Sequence, residues 1–480
     1  MNTYIDFVKM IPEAALVAVL IILFAADFVS SKQTGKLTRS WLNPLACVLM
    51  LATTVCCLLP MQPETAFGGM YVTTAATNVM KAILACGTLI VLIQSRAWAE
   101  TNKYEAEYYM LIVSTLLGMF VMMSSGHFLM FFLGLEMASV PLACVVAFDK
   151  LRNQSAEAAA KYILTATFSS GVMLYGISFV YGVCGTMYFD GVAAALQEQG
   201  ATPLAIMGLV FFFSGLGFKI SLVPFHFWTA DTYQGAPTPV TGYLSVISKG
   251  AAAFTLCAIL MKVFQPLVVE WQLLLCVVSV LSITIANLFA IRQSELKRFM
   301  AFSSISQAGY IVLAIVGNNE MSVTALSYYV LIYVVANMAV FTIINTVELN
   351  NNGRTDMAAY DGLYQTNPKL AFLMTLALFS LGGIPPFAGM FSKFFVFMAA
   401  AKAGSAMAYA VVFIALVNTV VSLYYYLLIV KAMYINKTDT PLPTFRSDAN
   451  TKLALVLCTA GIAFFGVASC IYDWIAAAAL

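Results

Sequence analysis

Charged residues are scarce in this sequence. Lys and Arg number 24 and Asp and Glu 22, so charged residues form 10% of the 480 residues, against about 25% in a soluble domain. The formal net charge of +2 provides no large basic or acidic face that would attract a polyanion. Together with 61% hydrophobic residues, this shortage excludes a soluble globule and a nucleic-acid partner. It predicts an integral membrane protein surrounded by the lipid bilayer.

Ligands for metals and redox groups are also few. The only histidines are His127 and His226, and the ten cysteines contain no CxxC motif. A haem held by paired histidines, or a zinc site, would need more ligands on facing helices. We therefore expect no metal and no redox cofactor in this chain. The cysteines are predicted to act as small buried hydrophobic residues.

Long apolar segments make up most of the sequence. A membrane-spanning helix needs roughly 20 mainly apolar residues, and about fourteen segments meet this requirement. The predicted spans are 11–30, 42–60, 76–95, 108–125, 128–148, 158–181, 204–226, 239–261, 271–291, 299–317, 323–347, 370–397, 405–433 and 453–473. The predicted fold is an all-α membrane bundle.

Basic residues favour one side of this predicted bundle. One set of alternate loops has only Lys9, Lys262 and Lys402. The other set has Lys32, Lys36, Arg39, Arg96, Lys103, Lys150, Arg152, Arg292, Lys297, Arg298, Arg354, Lys369, Lys431, Lys437, Arg446 and Lys452. Because cytoplasmic loops are enriched in Lys and Arg, this difference predicts that both termini lie on the outer side of the membrane.

Two predicted spans are interrupted by helix-breaking residues. The seventh contains Pro224, and the twelfth contains Gly382-Gly383 and Pro385-Pro386. Broken backbone at membrane depth is tolerated only where it is buried in protein or lines a hydrated cavity. The breaks are five spans apart, and an odd separation means that the two helices run in opposite directions.

This separation predicts two inverted five-helix repeats, each with a broken helix in fourth place. The predicted units are an N-terminal three-helix segment at 1–106, repeats at 107–262 and 263–435, and a C-terminal helix at 436–480. Two unrelated proline kinks are the alternative explanation.

Four ionisable residues fall deep within predicted spans: Glu136, Lys219, Lys249 and Lys393. Each costs about 2.5 to 3.5 kcal/mol on membrane-insertion scales and is a functional candidate for that reason. Glu136 is expected to pair with a lysine, first of all Lys219. In one interpretation, movement of this carboxylate makes the lysine hold or release a proton. In the other, the pair only fixes helix packing.

Other polar residues have two possible roles. Lys161 either extends to the membrane interface or serves a proton channel, and His226 is either a proton-relay group or a helix-end contact. Lys81 and Glu13 lie near span ends, which for Lys81 predicts extension to the interface. A last group could line a hydrated route or bond neighbouring helices: Ser303, Ser304, Ser306 and Gln307.

Three stretches identify a family: GFKISLVPFHFWTADTYQGAPTPVTGYLSVISKG, QSELKRFMAFSSISQAGYIV and FSLGGIPPFAGMFSKFFVF. With the fourteen-span layout, they resemble the antiporter-like membrane subunits of respiratory complex I and of multisubunit Na+/H+ antiporters. Within that family the sequence is most similar to the group of N subunits of NADH-quinone oxidoreductase. Lys249 and Gln307 stand where sister groups usually carry histidine, and Lys393 also fits this group.

The resemblance implies a non-redox subunit of a proton-translocating NADH:quinone oxidoreductase, driven by quinone reduction elsewhere in the complex. It implies that Glu136 is a modulating carboxylate, Lys219 its paired proton carrier, Lys249 the central relay and Lys393 a gate. Lys161 would tune access near small neighbouring subunits.

The resemblance also implies that NADH, FMN, iron–sulfur clusters and quinone are handled by other subunits. The implied partners are antiporter-like and small membrane subunits of complex I, in a prokaryotic plasma (inner) membrane. Two alternatives remain: a subunit of a multisubunit cation/proton antiporter, and a structural membrane subunit whose buried charges only fix helix packing.

Overall fold

The computed structural model describes residues 3–33, 41–59, 63–438, 442–468 and 470–479. These residues are almost entirely helical, which confirms the predicted all-α class. Lys36 and Arg39, two of the basic residues used to predict the membrane orientation, lie outside the described residues. Position 60, the last residue of the second predicted span, also lies outside them.

The described residues of the first half of the chain form twelve α-helices and one short β-hairpin. Its helices are α1 Thr3–Val8, α2 Ile11–Gln33, α3 Leu42–Leu58, α4 Ala75–Ala99, α5 Glu105–Met123, α6 Phe128–Val146, α7 Asn153–Cys184, α8 Phe189–Gln199, α9 Pro203–Ile220, α10 Phe227–Gly235, α11 Thr238–Tyr243 and α12 Lys249–Lys262. The antiparallel strands β1 Glu64–Ala66 and β2 Tyr71–Thr73 precede α4.

In the second half of the chain, the part that the structure describes contains nine further α-helices. They are α13 Val268–Ile291, α14 Leu296–Val316, α15 Glu320–Asn350, α16 Leu363–Thr366, α17 Pro368–Gly382, α18 Ala388–Ala401, α19 Ala406–Tyr434, α20 Ala449–Val467 and α21 Cys470–Ala479.

A helix lies at each of the fourteen predicted spans. Twelve helical segments of the described chain are long and apolar enough to cross a membrane. The remaining two predicted spans correspond to the shorter α3 and to the pair α17 and α18. The molecule is therefore a multi-pass membrane protein, and the exact number of crossings stays a prediction.

The centre of the bundle is formed by α14 and α15. The membrane-spanning window of α14 is buried along its whole length and that of α15 almost so, whereas α2 and α19 leave most of theirs exposed. Helix α14 carries small polar and apolar residues on all faces. A helix without a polar stripe suits a position enclosed by other helices.

The two broken helices end in the same way. Helix α9 ends at Ile220, Ser221 adopts a left-handed conformation with φ of 67°, and the Leu222 N–H donates to Gly217 O at 2.8 Å. Helix α17 ends at Gly382, Gly383 has φ of 86°, and the Ile384 N–H donates to Phe379 O at 3.0 Å. Both ends are Schellman motifs.

This geometry corrects the expected cause of the first break. From the sequence, the break was expected to result from Pro224, which has no N–H to support the helix. In the structure the helix has already ended at Ile220, and the left-handed Ser221 turns the chain before the proline is reached. Pro224 follows Ser221, and Pro386 follows Gly383, at the same distance along the chain.

The eighth predicted span is also irregular. One turn of π-helix, Leu244–Ser248, separates α11 from α12 and ends immediately before Lys249. Single π-turns inside α-helices are rare and frequently occur at functional sites. No sequence pattern had indicated this irregularity.

Candidate functional site

Lys219 lies in the last turn of α9 with 4% of its surface exposed. Its Nζ donates to Ser139 Oγ on α6 at 2.8 Å and to the Tyr162 hydroxyl on α7 at 3.1 Å. Both partners are neutral oxygens that the sequence argument had not selected. They come from two other helices, so no local motif pointed to them.

Glu136 does not make the direct contact that was expected with Lys219. The structure shows neither a hydrogen bond nor an ion pair between these two residues. Ser139, one turn after Glu136 on α6, binds the Lys219 ammonium instead. Glu136 is half-buried, and its Oε1 is buried without a hydrogen-bond partner in the described part of the chain. The pairing of Glu136 with Lys219 stays a prediction.

Lys249 begins α12 directly after the π-turn and has 1% of its surface exposed. Its Nζ donates to Ser304 Oγ on α14 and lies 5.4 Å from the centre of the Tyr233 ring. The Tyr233 hydroxyl is 3.2 Å from the same Ser304 Oγ. Tyr333 of α15, whose hydroxyl is buried and makes no hydrogen bond within the described residues, is a further polar group of the central helices.

Lys393 lies on α18, after the second break, whereas Lys219 precedes the first. Its Nζ extends back across the break and donates to Gly382 O, the last residue of α17, at 3.1 Å. The C-terminal end of a helix carries partial negative charge, which favours a cation there. The break therefore supplies the polar partner of this buried lysine.

Neutral side chains surround Lys393. A cavity of about 10 Å³, the room of about one water molecule, is bordered by Lys393, Gln307 and Tyr329. The Tyr329 hydroxyl donates to Gln307 Oε1, and Gln307 Nε2 donates to the Tyr426 hydroxyl at 3.1 Å. Ser303 Oγ and the Tyr426 hydroxyl are 2.6 Å apart. The polar residues of α14 thus bond neighbouring helices next to a lysine.

Lys161 is exposed at the surface. Its Nζ is 2.7 Å from both Glu157 and Asp231, and Asp231 also pairs with Arg298 at 2.6 Å. These side chains border an open cavity of about 190 Å³. Because Arg298 belongs to the basic side of the bundle, Lys161 lies towards that side, and the next residue of α7, Tyr162, contacts the buried Lys219.

His226 lies at the start of α10, at the end of the first break. The residue is largely buried, its ring packs on Phe227, and its Nδ1 has no hydrogen-bond partner among the described residues. The structure shows no hydrogen bond from its ring to Lys219 or Lys249. A relay role for His226 stays a prediction.

Lys81 and Glu13 contradict the sequence expectation for span-end residues. Lys81 is fully buried, and its Nζ is 2.7 Å from Glu13 Oε1. The Tyr71 hydroxyl of β2 donates to Glu13 Oε2 at 3.0 Å, and Ser124 Oγ donates to Glu13 Oε1 at 3.4 Å. The β-hairpin contributes to this enclosed pair, so Lys81 does not extend to the interface.

Comparison with known proteins agrees with this architecture. Residues 125–422 match the family model described as NADH:quinone oxidoreductase/Mrp antiporter, TM. The chain belongs to this family of antiporter-like membrane proteins. The match includes all four candidate residues, Glu136, Lys219, Lys249 and Lys393.

Individual relatives are similar along nearly the whole chain. The NADH-quinone oxidoreductase subunit N of Phocaeicola vulgatus is 55% identical over 465 residues, which cover 96% of each chain. A chain of respiratory complex I from Thermus thermophilus is 30% identical, with a TM-score of 0.79 and coverage of 95% and 97%. A chain of the Mrp complex from Dietzia sp. is 18% identical, with a TM-score of 0.86 and coverage of 98% and 97%, and shares the fold.

Proposed function

We propose that this chain is a proton-translocating membrane subunit of an NADH-quinone oxidoreductase. Protons pass along Lys219, Lys249 and Lys393, with Glu136 as the modulating carboxylate. The observation that carries the proposal is the burial of the three lysines and the kind of atom to which each donates a hydrogen bond. Each is at most 4% exposed, lies within a predicted span and donates to a neutral oxygen.

Hydroxyl partners suit a group that changes its protonation state. A hydroxyl accepts a hydrogen bond from an ammonium and can donate one to a neutral amine. Ser139 and Tyr162 can therefore serve both states of Lys219, and Ser304 can serve both states of Lys249. A carboxylate partner would instead hold a lysine in the charged state.

The hydrogen-bond partner of Lys393 is a backbone carbonyl, unlike the hydroxyl partners of Lys219 and Lys249. The Gly382 carbonyl can only accept, so this contact favours the charged form. Release of the proton then requires Lys393 to move away from the end of α17. This supports the role of Lys393 as a gate at the second break.

Glu136 is placed to respond to a neighbouring subunit. Leu133 and Val140, three residues before it and four after it on α6, are each at least half exposed. A partner helix packed here would lie near the buried Oε1 and could move the carboxylate relative to Lys219. At about 4 Å and an effective dielectric constant of about 20, such an approach changes the interaction by roughly 4 kcal/mol.

The remaining assignments complete this proposal. The chain contributes no redox group, and NADH, FMN, iron–sulfur clusters and quinone are handled by other subunits of the enzyme complex. Lys161 and His226 are secondary candidates. The repeats comprise 107–262 and 263–435, flanked by 1–106 and 436–480, and the matching Schellman ends of α9 and α17 support this division. Both termini face the outer side of a prokaryotic plasma (inner) membrane.

Replacement of Lys249 tests the proposal against a matched lysine of the same helix. Lys262, at the end of α12, is half exposed and pairs with Asp190 at 3.0 Å. In assembled complex, Lys249→Met is expected to abolish NADH-driven proton pumping, and Lys262→Met to leave it near wild type. Pumping by Lys249→Met at the wild-type rate would contradict the relay. Sodium/proton exchange in wild-type membranes without NADH-driven pumping would favour the cation/proton antiporter.

A further inference from the structure

Two lysines of the proposed path, Lys249 and Lys393, are not joined by hydrogen bonds. Lys249 donates to Ser304 Oγ on α14, whereas Lys393 donates to Gly382 O and borders the cavity of about 10 Å³. In the part of the chain that the structure describes, no series of hydrogen bonds leads from Ser304 to Lys393. Transfer between these lysines therefore needs a further group that can accept one proton and release another.

A chain of hydrogen bonds beside this cavity does not provide that group. Its central member is the Gln307 amide, whose Oε1 accepts from the Tyr329 hydroxyl. Gln307 Nε2 donates to the Tyr426 hydroxyl at 3.1 Å and to Leu381 O at 3.3 Å. Proton transfer in proteins is carried by His, carboxyl, Lys, Tyr and Cys side chains and by water, and a side-chain amide is not among these groups. We therefore assign this chain to helix packing.

Tyr333 of α15 presents a buried hydroxyl beside the same cavity. The residue is 2% exposed and, like Lys393, borders the cavity. Ser304 and Tyr233, which both lie next to Lys249, are also close enough to interact with the Tyr333 phenol. Ser304 approaches the Tyr333 hydroxyl without hydrogen-bond geometry, and this hydroxyl makes no hydrogen bond within the described residues. Tyr333 is therefore a neighbour of both lysine sites.

A buried hydroxyl without a fixed partner is unfavourable in a residue that only fills space. Burial removes the Tyr333 hydroxyl from water, and no hydrogen bond within the described residues offsets that loss. Phenylalanine has the same ring and would avoid this cost. The hydrogen of a hydroxyl can rotate, and its oxygen can accept a hydrogen bond while the hydrogen is donated. The Tyr333 hydroxyl can thus turn towards Ser304 or towards the cavity, as a proton carrier must.

We propose that the Tyr333 hydroxyl carries protons between Lys249 and Lys393 together with one water molecule in the cavity. This inference rests on the function proposed above. When a proton moves from Lys249 to Lys393, an N–H bond of the Lys249 ammonium breaks and a new N–H bond forms on the neutral Lys393 amine. In between, the oxygens of Ser304, Tyr333 and water each accept one proton and release another. The hydroxyls and the water are unchanged at the end, and no tyrosinate forms.

Two phenylalanine variants of α15 separate proton transfer from packing. Tyr333→Phe removes a hydroxyl that makes no hydrogen bond within the described residues, whereas Tyr328→Phe removes one that donates to Phe465 O at 2.7 Å. Both tyrosines are 2% exposed. In inverted membrane vesicles, we expect Tyr333→Phe to lower NADH-driven proton pumping at least about tenfold, without lowering the unfolding temperature of the assembled complex. Tyr328→Phe should lower that temperature and leave pumping near wild type.

The opposite outcomes contradict the inference. Wild-type pumping by Tyr333→Phe would remove this hydroxyl from the path. If Lys249→Met has lost pumping in the same vesicles, the lysine path stands without Tyr333; if Lys249→Met also pumps normally, the proposed function itself has failed. A lower unfolding temperature or failed assembly of Tyr333→Phe would show that the hydroxyl supports the structure and would overturn the proposal.

A histidine variant provides a rescue test. Tyr333→His restores a group that exchanges protons, so it is expected to pump faster than Tyr333→Phe. Equal pumping by these two variants would show that the ring of Tyr333, and not its hydroxyl, is required.

Discussion

The lysines buried deep within predicted spans differ in their partners from Lys81; Lys297, buried at the start of α14, donates to Ala236 O at 2.6 Å and lies outside the predicted spans. Lys219, Lys249 and Lys393 donate to neutral hydroxyl or carbonyl oxygens. Lys81 instead pairs with Glu13 at 2.7 Å in an enclosed site. A lysine with a carboxylate partner is fixed in its charged form. We therefore assign proton transfer to the three lysines deep within spans and a structural role to Lys81.

Removal of the hydroxyls around Lys219 tests this distinction. The double variant Ser139→Ala with Tyr162→Phe leaves the ammonium without its two acceptors. Hydrogen bonds to charged groups contribute about 1.5 to 3 kcal/mol, so pumping per NADH oxidised is expected to fall at least about tenfold. Tyr175→Phe alters an exposed tyrosine of the same helix and should have no effect. Normal pumping in the double variant would remove these hydroxyls from the path.

The Lys81–Glu13 pair is expected to behave as a structural unit. Lys81→Met alone leaves Glu13 buried without its cation and should destabilise the protein by about 3 to 5 kcal/mol. Lys81→Met combined with Glu13→Leu removes both charges and should restore most of that loss. Thermal unfolding of the assembled complex measures both effects. A double variant that unfolds normally but does not pump would contradict the structural assignment.

At the residue scale, the sequence predicted the burial of the lysines better than it predicted the residues that contact them. The hydrophobic spans around Lys219, Lys249 and Lys393 were sufficient to predict their burial. Ser139 and Tyr162 could not be selected, because they meet Lys219 from separate helices. For Lys81, position near a span end suggested exposure, and the β-hairpin that encloses it was not predicted.

At the level of single elements, the second broken helix determines where the partner of Lys393 lies. The left-handed residues Ser221 and Gly383 end α9 and α17. The end of α17 exposes the carbonyl that Lys393 contacts. Glycine and proline in the sequence located both breaks, but the role of Ser221 was not predictable, because a non-glycine residue with positive φ is uncommon.

Close packing of the second break can be tested at Gly389 in α18. A Cβ atom at this position would lie 1.6 Å from Ser380 O, so Gly389→Ala must separate α17 from α18. We expect this variant to displace Lys393 from Gly382 and to lower pumping strongly. Gly171→Ala is the matched control: a Cβ there meets no atom within 4 Å, and alanine favours a helix by roughly 0.5 to 1 kcal/mol. Equal pumping rates in the two variants would contradict a role for this packing.

Short elements were the part of the fold that the sequence did not predict. The hairpin of β1 and β2 has three residues in each strand, and α8 has eleven residues. Such segments are too short for the span criterion and lack a long periodic pattern. The fourteen long apolar segments, in contrast, carried a strong signal, and each corresponds to helix in the structure.

At the scale of the whole molecule, two of the buried lysines, Lys249 and Lys393, lie next to the central helix α14. Ser304 of α14 contacts Lys249, and Gln307 of the same helix borders the Lys393 cavity. The ion-paired cluster of Lys161, Asp231 and Arg298 lies at one side of the bundle. This arrangement connects the two proposed repeats through a shared polar interior.

The most direct test of this account is NADH-driven proton pumping in inverted membrane vesicles with Lys393→Ala. Lys402→Ala is the matched control, because Lys402 follows the same helix and is exposed. Assembly of both variants is verified on native gels before pumping is measured. The account predicts loss of pumping in Lys393→Ala and wild-type pumping in Lys402→Ala. Wild-type pumping by an assembled Lys393→Ala complex would contradict it.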